Sequence, residues 1–117
     1  MGDSILKRKS YLFALKVIKV YKQIISEHKE YVLSKQFLKA GTSIGALIRE
    51  AEFAQSRPDF ISKMSISLKE SNETDYWTTL LRDSDFITTE VATDLLADNK
   101  ELTSMLVSSI KTTKTNK

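Results

Sequence analysis

Carboxylates at helical spacing are the residues of this sequence that could take part in chemistry. Glu70 and Glu73 are three residues apart, and Glu50 lies earlier in the chain. Paired carboxylates can act as general acid and base, or as ligands of a di-metal site in a helical bundle. Such metal sites also need Glu-x-x-His pairs, whereas the single His, His28, lies in a polar segment between two helical patterns. We therefore predict no catalytic site, no metal site and no cofactor, and we expect His28 to be a solvated loop residue.

Other catalytic motifs are missing from the sequence. The chain has no Cys, which excludes disulfides, thiolate metal sites and Cys nucleophiles and is compatible with a reducing compartment. It contains no Gly-rich phosphate loop, no Ser-His-Asp set and no zinc-ligand spacing. No window approaches the ~18 uninterrupted apolar residues of a membrane span, and the N-terminus lacks the apolar core of a signal peptide. We expect a cytoplasmic protein that is not an enzyme.

An electrostatic role fits the carboxylates better than catalysis. On a helical projection Glu70 and Glu73 lie on the same side as Trp77. A carboxylate in apolar surroundings stays ionised only if a cation pairs with it, and Arg49 is the nearest cation with apolar neighbours. We predict a buried or interface ion-pair network of Arg49, Glu50, Glu70 and Glu73. Loss of Arg49 should then disrupt folding or assembly.

Helices must position these residues, because apolar residues recur at spacings of three and four along most of the chain. Three Gly and one Pro are few for a chain rich in turns, and short polar connections are expected near 26–32, 54–57 and 83–88. Short connections make consecutive helices antiparallel neighbours. We predict an all-α, left-handed, antiparallel up-down-up-down four-helix bundle that forms a single domain over residues 1–117. The polar segment 111–117 is expected to be a frayed tail.

The middle of the second helix is unusually rich in small residues. Each Gly inside a helix costs about 1 kcal/mol relative to Ala, so a compensating gain is expected. We predict that another helix approaches closely here, and a bound group is the alternative. The small residues are Gly41, Thr42, Ser43, Gly45 and Ala46.

The third helix has apolar residues on two sides. Ile66, Trp77 and Leu80 lie on the side of the carboxylates, whereas Met64 and Leu68 lie on the opposite side. A helix at the edge of a small monomer needs only one apolar stripe. This pattern predicts either a central helix or a helix in a subunit interface.

Positive charge is concentrated at the start of the chain. Residues 1–40 carry nine Lys or Arg and three Asp or Glu, although the whole chain has a net charge of only +3. Such a surface can bind RNA or DNA through phosphates, weakly and with little sequence preference, since no aromatic stacking platform or base-reading motif accompanies the lysines. The alternative is that the lysines only solvate the surface of a protein interaction module. The candidate nucleic-acid-binding residues are Lys16, Lys19, Lys22, Lys35 and Lys39.

Two stretches of the sequence, 41–51 and 56–77, together resemble the four-helix-bundle proteins encoded within intervening sequences of bacterial 23S rRNA genes. The same fold is similar to that of the accessory variability determinant of diversity-generating retroelements. The resemblance implies a ring-shaped homopentamer with no known enzymatic activity and a suspected association with nucleic acid or ribonucleoprotein. A non-catalytic oligomeric scaffold that binds RNA or a ribonucleoprotein partner is thus our predicted function, and a pure protein–protein interaction module is the alternative.

The resemblance also implies which positions are structural or belong to an interface. The family's recurring positions are occupied here by Ser43, Ile44, Ile48, Glu50, Glu70, Glu73 and Trp77. The residues predicted to be structural or to belong to an interface are Ser43, Arg49, Glu50, Glu70, Glu73 and Trp77. Members of the family usually have Asn where this chain has Leu47, so the polar contact of that Asn is absent here.

Overall fold

Four α-helices make up nearly all of the computed structural model, which describes residues 3–115. No residue in this range belongs to a strand, so the predicted all-α class is confirmed. The first helix continues to His28 and ends where Lys29 adopts a left-handed conformation, with φ of 52°. Residues 111–115, predicted to fray, are helical, and 116–117 lie outside the described residues. The helices are α1 (Asp3–His28), α2 (Leu33–Glu52), α3 (Arg57–Asp83) and α4 (Thr89–Thr115).

Each helix packs against its neighbours in the chain, and α4 also packs against α1. Within the described range the two diagonal pairs, α1 with α3 and α2 with α4, do not pack against each other. The four helices therefore lie at the corners of a square around one core. The core is formed mainly by large aliphatic and aromatic side chains of α1, α2 and α4, including Leu6, Phe13, Val17, Phe37, Ile44, Leu95, Leu102 and Leu106.

One of the two predicted apolar sides of α3, that of Met64 and Leu68, packs against the core, but most of the buried residues of α3 are polar. Only Met64 and Leu81 contribute buried apolar side chains from this helix. Thr74 and Thr78 donate hydrogen bonds to backbone carbonyls of their own helix, and Ser67 donates to the Ile44 carbonyl of α2 at 2.9 Å. Since each hydroxyl has a partner, small polar residues can be buried and the helices can approach closely.

A buried hydrogen-bond network joins α3 to α4. Asn99 is 2% exposed, and its amide nitrogen donates to the Ser71 carbonyl at 2.9 Å. The Ser71 hydroxyl donates to the Asn99 side-chain oxygen at 2.9 Å and also contacts the Thr103 hydroxyl. Both polar ends of the Asn99 amide thus have partners in the core.

The small-residue patch of α2 lies where α1 and α2 cross. A Cβ atom added to Gly41 would come within 2.7 Å of the Val17 side chain, and one added to Gly45 would lie 3.3 Å from the Ser10 hydroxyl. The close helix approach predicted from the small residues is confirmed at these two positions. Because Gly41 has no Cβ atom, α1 and α2 can pack closely here. This close packing is the gain that offsets the low helix propensity of Gly41.

Polar residues fix the beginnings of α2 and α3. The Glu30 carboxylate accepts hydrogen bonds from the backbone N–H groups of Val32, Leu33 and Ser34. Burial acts to raise the pKa of Glu30, but these backbone donors together hold it below its ordinary value. The Ser56 hydroxyl accepts a hydrogen bond from the Asp59 N–H at 3.1 Å, as the capping pattern predicts.

Candidate nucleic-acid and assembly surfaces

Three exposed lysines lie on the outer surface of α1 and α2, which we call the basic flank. Lys19 and Lys22 are on α1, and Lys35 is on α2. Val17 lies against Gly41, which brings the second half of α1 beside the first half of α2. None of the three lysines forms an ion pair with any residue that the structure describes. Their charges are therefore available to a polyanion.

The other two candidate lysines differ from this group. Lys16 pairs with Asp94 at 2.8 Å and with Asp98. Hydrogen bonds first to Asp94 and then to Asp98 raise the pKa of Lys16, so its charged form is stabilised by carboxylates of α4. Lys16 was predicted to join the binding surface, and in the structure it forms ion pairs with α4, unlike Lys19, Lys22 and Lys35. Lys39 is exposed and lies toward α3, where its charge favours ionisation of Glu70.

The predicted ion-pair network of Arg49 with the three Glu residues does not form within the chain. Arg49 is exposed on the α1 side of α2 and forms no ion pair with a described residue. Glu50 instead pairs with Lys63 of α3 at 3.5 Å. The reason is geometric: consecutive helical residues point about 100° apart, so Arg49 and Glu50 face different neighbours of α2. Loss of Arg49 therefore strands no buried charge within the chain.

A second surface, which we call the acidic flank, consists of Ile66, Glu70, Glu73 and Trp77 of α3. Ile66 is 40% exposed, and the other three are half-buried. Burial, and then the negative charge of Glu73, raise the pKa of Glu70. The ion pair of Glu73 with Lys69 is long, at 3.9 Å. The carboxylates of this surface therefore lie beside apolar side chains that are not fully buried. They lack the Arg49 partner that was predicted from the sequence.

Two residues of α2 extend the acidic flank. Ser43 and Glu50 are seven residues apart and share one helix face, from which Glu50 reaches α3. Ser43 is half-buried, and its hydroxyl donates to the Lys39 carbonyl. Five of the family positions therefore fall on one side of the bundle, namely Ser43, Glu50, Glu70, Glu73 and Trp77.

A groove of about 260 Å³ lies between α1 and α2, beside part of the small-residue patch for which a bound group was the alternative prediction. Its lining combines short side chains with the longer side chains of Tyr11 and Arg49. The small residues of α2 were the available sequence signal, whereas the exposure of Tyr11 and its position beside them are known only from the structure. We call it the Tyr11 groove; it is lined by Lys7, Tyr11, Ala14, Thr42, Gly45, Ala46 and Arg49.

His28 belongs to none of the three surfaces, namely the basic flank, the acidic flank and the Tyr11 groove. It is exposed at the end of α1 and packs edge-on against Phe86, with ring centroids 5.4 Å apart. Between residues 3 and 115, no group of three or more His, Cys, Asp or Glu side chains could hold a metal ion. None of the helices described combines the length and hydropathy that a membrane crossing requires.

Comparison with known proteins identifies the family. The model of the 23S rRNA-intervening sequence proteins matches residues 2–108. A crystal structure of a protein with unknown function from the S23 ribosomal protein family of Bacteroides thetaiotaomicron superposes with a TM-score of 0.93 at 50% sequence identity. The alignment covers 95% of this chain and 99% of that chain. None of the curated proteins matches. The chain therefore belongs to the 23S rRNA-intervening sequence protein family.

Proposed function

We propose that this protein is a non-catalytic, self-assembling scaffold that holds RNA or a ribonucleoprotein partner on its basic flank. The proposal rests on a difference among the lysines of α1: some form ion pairs with neighbouring helices and others do not. Lys7, Lys9 and Lys16 of α1 pair with carboxylates of neighbouring helices, whereas Lys19 and Lys22 form no ion pair with any described residue. The cytoplasm is the compartment that this proposal requires.

Phosphates would supply most of the affinity. The basic flank presents ammonium groups on long, flexible side chains, which neutralise phosphates without selecting a base sequence. Binding of this kind releases counterions and weakens steeply as the salt concentration rises. A single protomer would bind weakly, so repetition of the flank in an oligomer is an essential part of the proposal.

Assembly is supported by two unlike surfaces without a partner in the chain. Ile5, Leu12 and Leu15 leave a strip of exposed apolar side chains on α1, while the acidic flank lies on another side of the square bundle. The contact of Lys7 with Glu52 and the short connections support an antiparallel up-down-up-down topology. A closed ring joins one face of a protomer to a different face of the next. We propose the ring-shaped homopentamer that the family resemblance implies.

Reversal of charge on the basic flank should strongly weaken RNA binding. The variant carries Lys19→Glu, Lys22→Glu and Lys35→Glu, and we expect a loss of affinity on the order of 100-fold at low salt, because at least two phosphate contacts are lost and like charges repel. Fluorescence anisotropy with a structured RNA and a DNA duplex at two salt concentrations measures the effect. The wild-type affinity should fall steeply with salt.

A matched control changes the net charge by the same amount on another surface. It carries Lys100→Glu, Lys111→Glu and Lys114→Glu on α4, where all three lysines are exposed. Its affinity should stay within a few-fold of wild type. Equal losses in both variants would contradict a localised surface. No binding by the wild type at low salt would favour the pure protein–protein interaction module, to which the exposed apolar strip of α1 is also suited.

The assembly is tested by mass. Light scattering at micromolar concentration should give about five times the protomer mass of 13.3 kDa. Leu12→Glu combined with Leu15→Glu should dissociate the oligomer while leaving the helical circular dichroism unchanged, because both side chains are exposed in the protomer. Val107→Glu, at an exposed position of α4, is the control that should not dissociate. A wild-type mass near that of one protomer would refute the ring.

A further inference from the structure

We propose that the Tyr11 groove is a subsite for one unpaired nucleotide of a single-stranded RNA, with the base stacked on Tyr11 and a phosphate paired with Arg49. This inference rests on the proposed RNA-binding function and goes beyond it, because it assigns a second, aromatic component to a surface that was expected to bind phosphates alone. It also selects single-stranded over duplex ligands.

The groove has a lining and a volume that suit a planar base. Tyr11 is 54% exposed, so much of its side chain is accessible to a ligand. Ala14, Gly45 and Ala46, which we call the floor of the groove, do not extend beyond a methyl group. In the proposed complex the base lies beside the Tyr11 ring, where these short side chains leave room for it. The volume of about 260 Å³ suits a base and is too small for a helix of another protein, whose diameter is about 10 Å.

The charges at the groove select an anionic ligand. Lys7 already pairs with Glu52 at 2.8 Å, whereas Arg49 forms no ion pair with any residue that the structure describes. A guanidinium group can bind a phosphate through two parallel hydrogen bonds. No described carboxylate lines the groove, so none competes with a phosphate for Arg49 there. The basic flank continues along the same two helices, so a strand lying on it would carry neighbouring phosphates past Lys22 and Lys35.

Other classes of ligand would interact with only some of the residues that line the groove. A purely apolar ligand would cover Arg49 without compensating its charge. An acidic peptide would pair with Arg49 but would leave the exposed ring of Tyr11 without a stacking partner. A base–aromatic stack requires an unpaired base, because the faces of the bases in a duplex are covered by their neighbours. A nucleotide of a single strand uses the ring, the floor and the cation together.

The test compares single-stranded and duplex RNA of the same length by fluorescence anisotropy. Tyr11→Ala should weaken binding of the single strand about 10-fold and change duplex binding less than about 2-fold, because loss of one stack affects only the single strand. Tyr11→Phe should retain single-strand affinity, since stacking needs the ring and not the hydroxyl group. Tyr76→Ala is the matched control, because Tyr76 is similarly exposed, at 59%, but lies on α3. Arg49→Gln should reduce the salt slope by about one phosphate contact.

A reporter variant reads the stack directly. Trp77→Phe removes the single native Trp, and Tyr11→Trp in that background places the only indole at the groove. Single-stranded RNA should quench its emission, and duplex RNA should not. Equal quenching by polyglutamate would overturn the nucleotide assignment in favour of an acidic peptide.

The outcomes separate the subsite from the proposed function. If charge reversal of the basic flank strongly weakens RNA binding while Tyr11→Ala leaves single-strand affinity unchanged, the subsite is wrong and the RNA-binding function stands. If the wild type binds no RNA at low salt, the function fails and the subsite fails with it.

Discussion

Gly41→Val is expected to destabilise the protein by about 3 kcal/mol, the upper end of the range for an overpacked core. The Cβ atom alone would lie 2.7 Å and 2.9 Å from the two terminal methyl groups of Val17, whose side chain is fully buried. Val17 cannot move aside in a close-packed core, so α1 and α2 would have to separate. Urea unfolding followed by circular dichroism measures the loss of stability.

Gly45→Ala is the matched control for the same helix crossing. Its new Cβ atom would lie 3.3 Å from the Ser10 hydroxyl, a tighter contact than usual but not a severe overlap. Ala also gains about 1 kcal/mol in helix propensity over Gly, so we expect a change within about 1 kcal/mol. Val17→Ala should partly rescue Gly41→Val in a double-mutant cycle. A mild effect of Gly41→Val, similar to that of Gly45→Ala, would show that the two helices are not tightly packed.

Asn99→Asp is expected to destabilise the protein by about 3–5 kcal/mol at pH 7, although the side chain barely changes shape. The amide nitrogen that donates to the Ser71 carbonyl at 2.9 Å would be replaced by a carboxylate oxygen, which cannot donate. A buried carboxylate that has no cation to pair with lowers the stability of the folded state by an amount of this size. Position 99 is 2% exposed, so water cannot compensate for the lost donor.

The stability of Asn99→Asp should change with pH in a defined direction. Burial should raise the pKa of the introduced carboxyl group in the folded state above its unfolded value of about 3.9. Its neutral form can still donate to Ser71, so the variant should be most stable below the unfolded pKa and lose stability as pH rises through the folded pKa. Urea unfolding at pH 4 and pH 7 tests this. Asn72→Asp, the same change at an exposed position of α3, should show little pH-dependent loss. Equal pH dependence in the two variants would contradict the role of the buried network.

Helix content and most helix boundaries could be predicted from sequence, because they depend on local properties. Apolar residues at spacings of three and four predicted four helices, and the connections near 54–57 and 83–88 lie close to the observed ones. The Ser56 cap was visible for the same reason, since its partner is three residues away. The extension of α1 to His28 was missed because polar residues do not by themselves end a helix.

Hydropathy could not predict which side chains of α3 face the core of the bundle. Ser71 and Thr74 count as polar in any periodicity analysis, yet both are fully buried. Their hydroxyl groups find acceptors in Asn99 and in the Glu70 carbonyl. The spacing of apolar residues along a helix does not distinguish a hydroxyl group that has an internal partner from one that needs water.

The amino-acid sequence by itself determined the all-α class, the basic character of the first helix and the family resemblance, since composition, spacing and motif are properties of the chain alone. Only the tertiary structure decided which charges are free. Lys16 and Lys19 look equivalent in sequence, but Lys16 meets Asp94 of α4, which lies far along the chain. Arg49 likewise faces α1 and the Tyr11 groove, away from Glu70. Ion pairs depend on distances of a few ångströms between different helices, and the rotation of each helix about its axis is set by packing of the whole core.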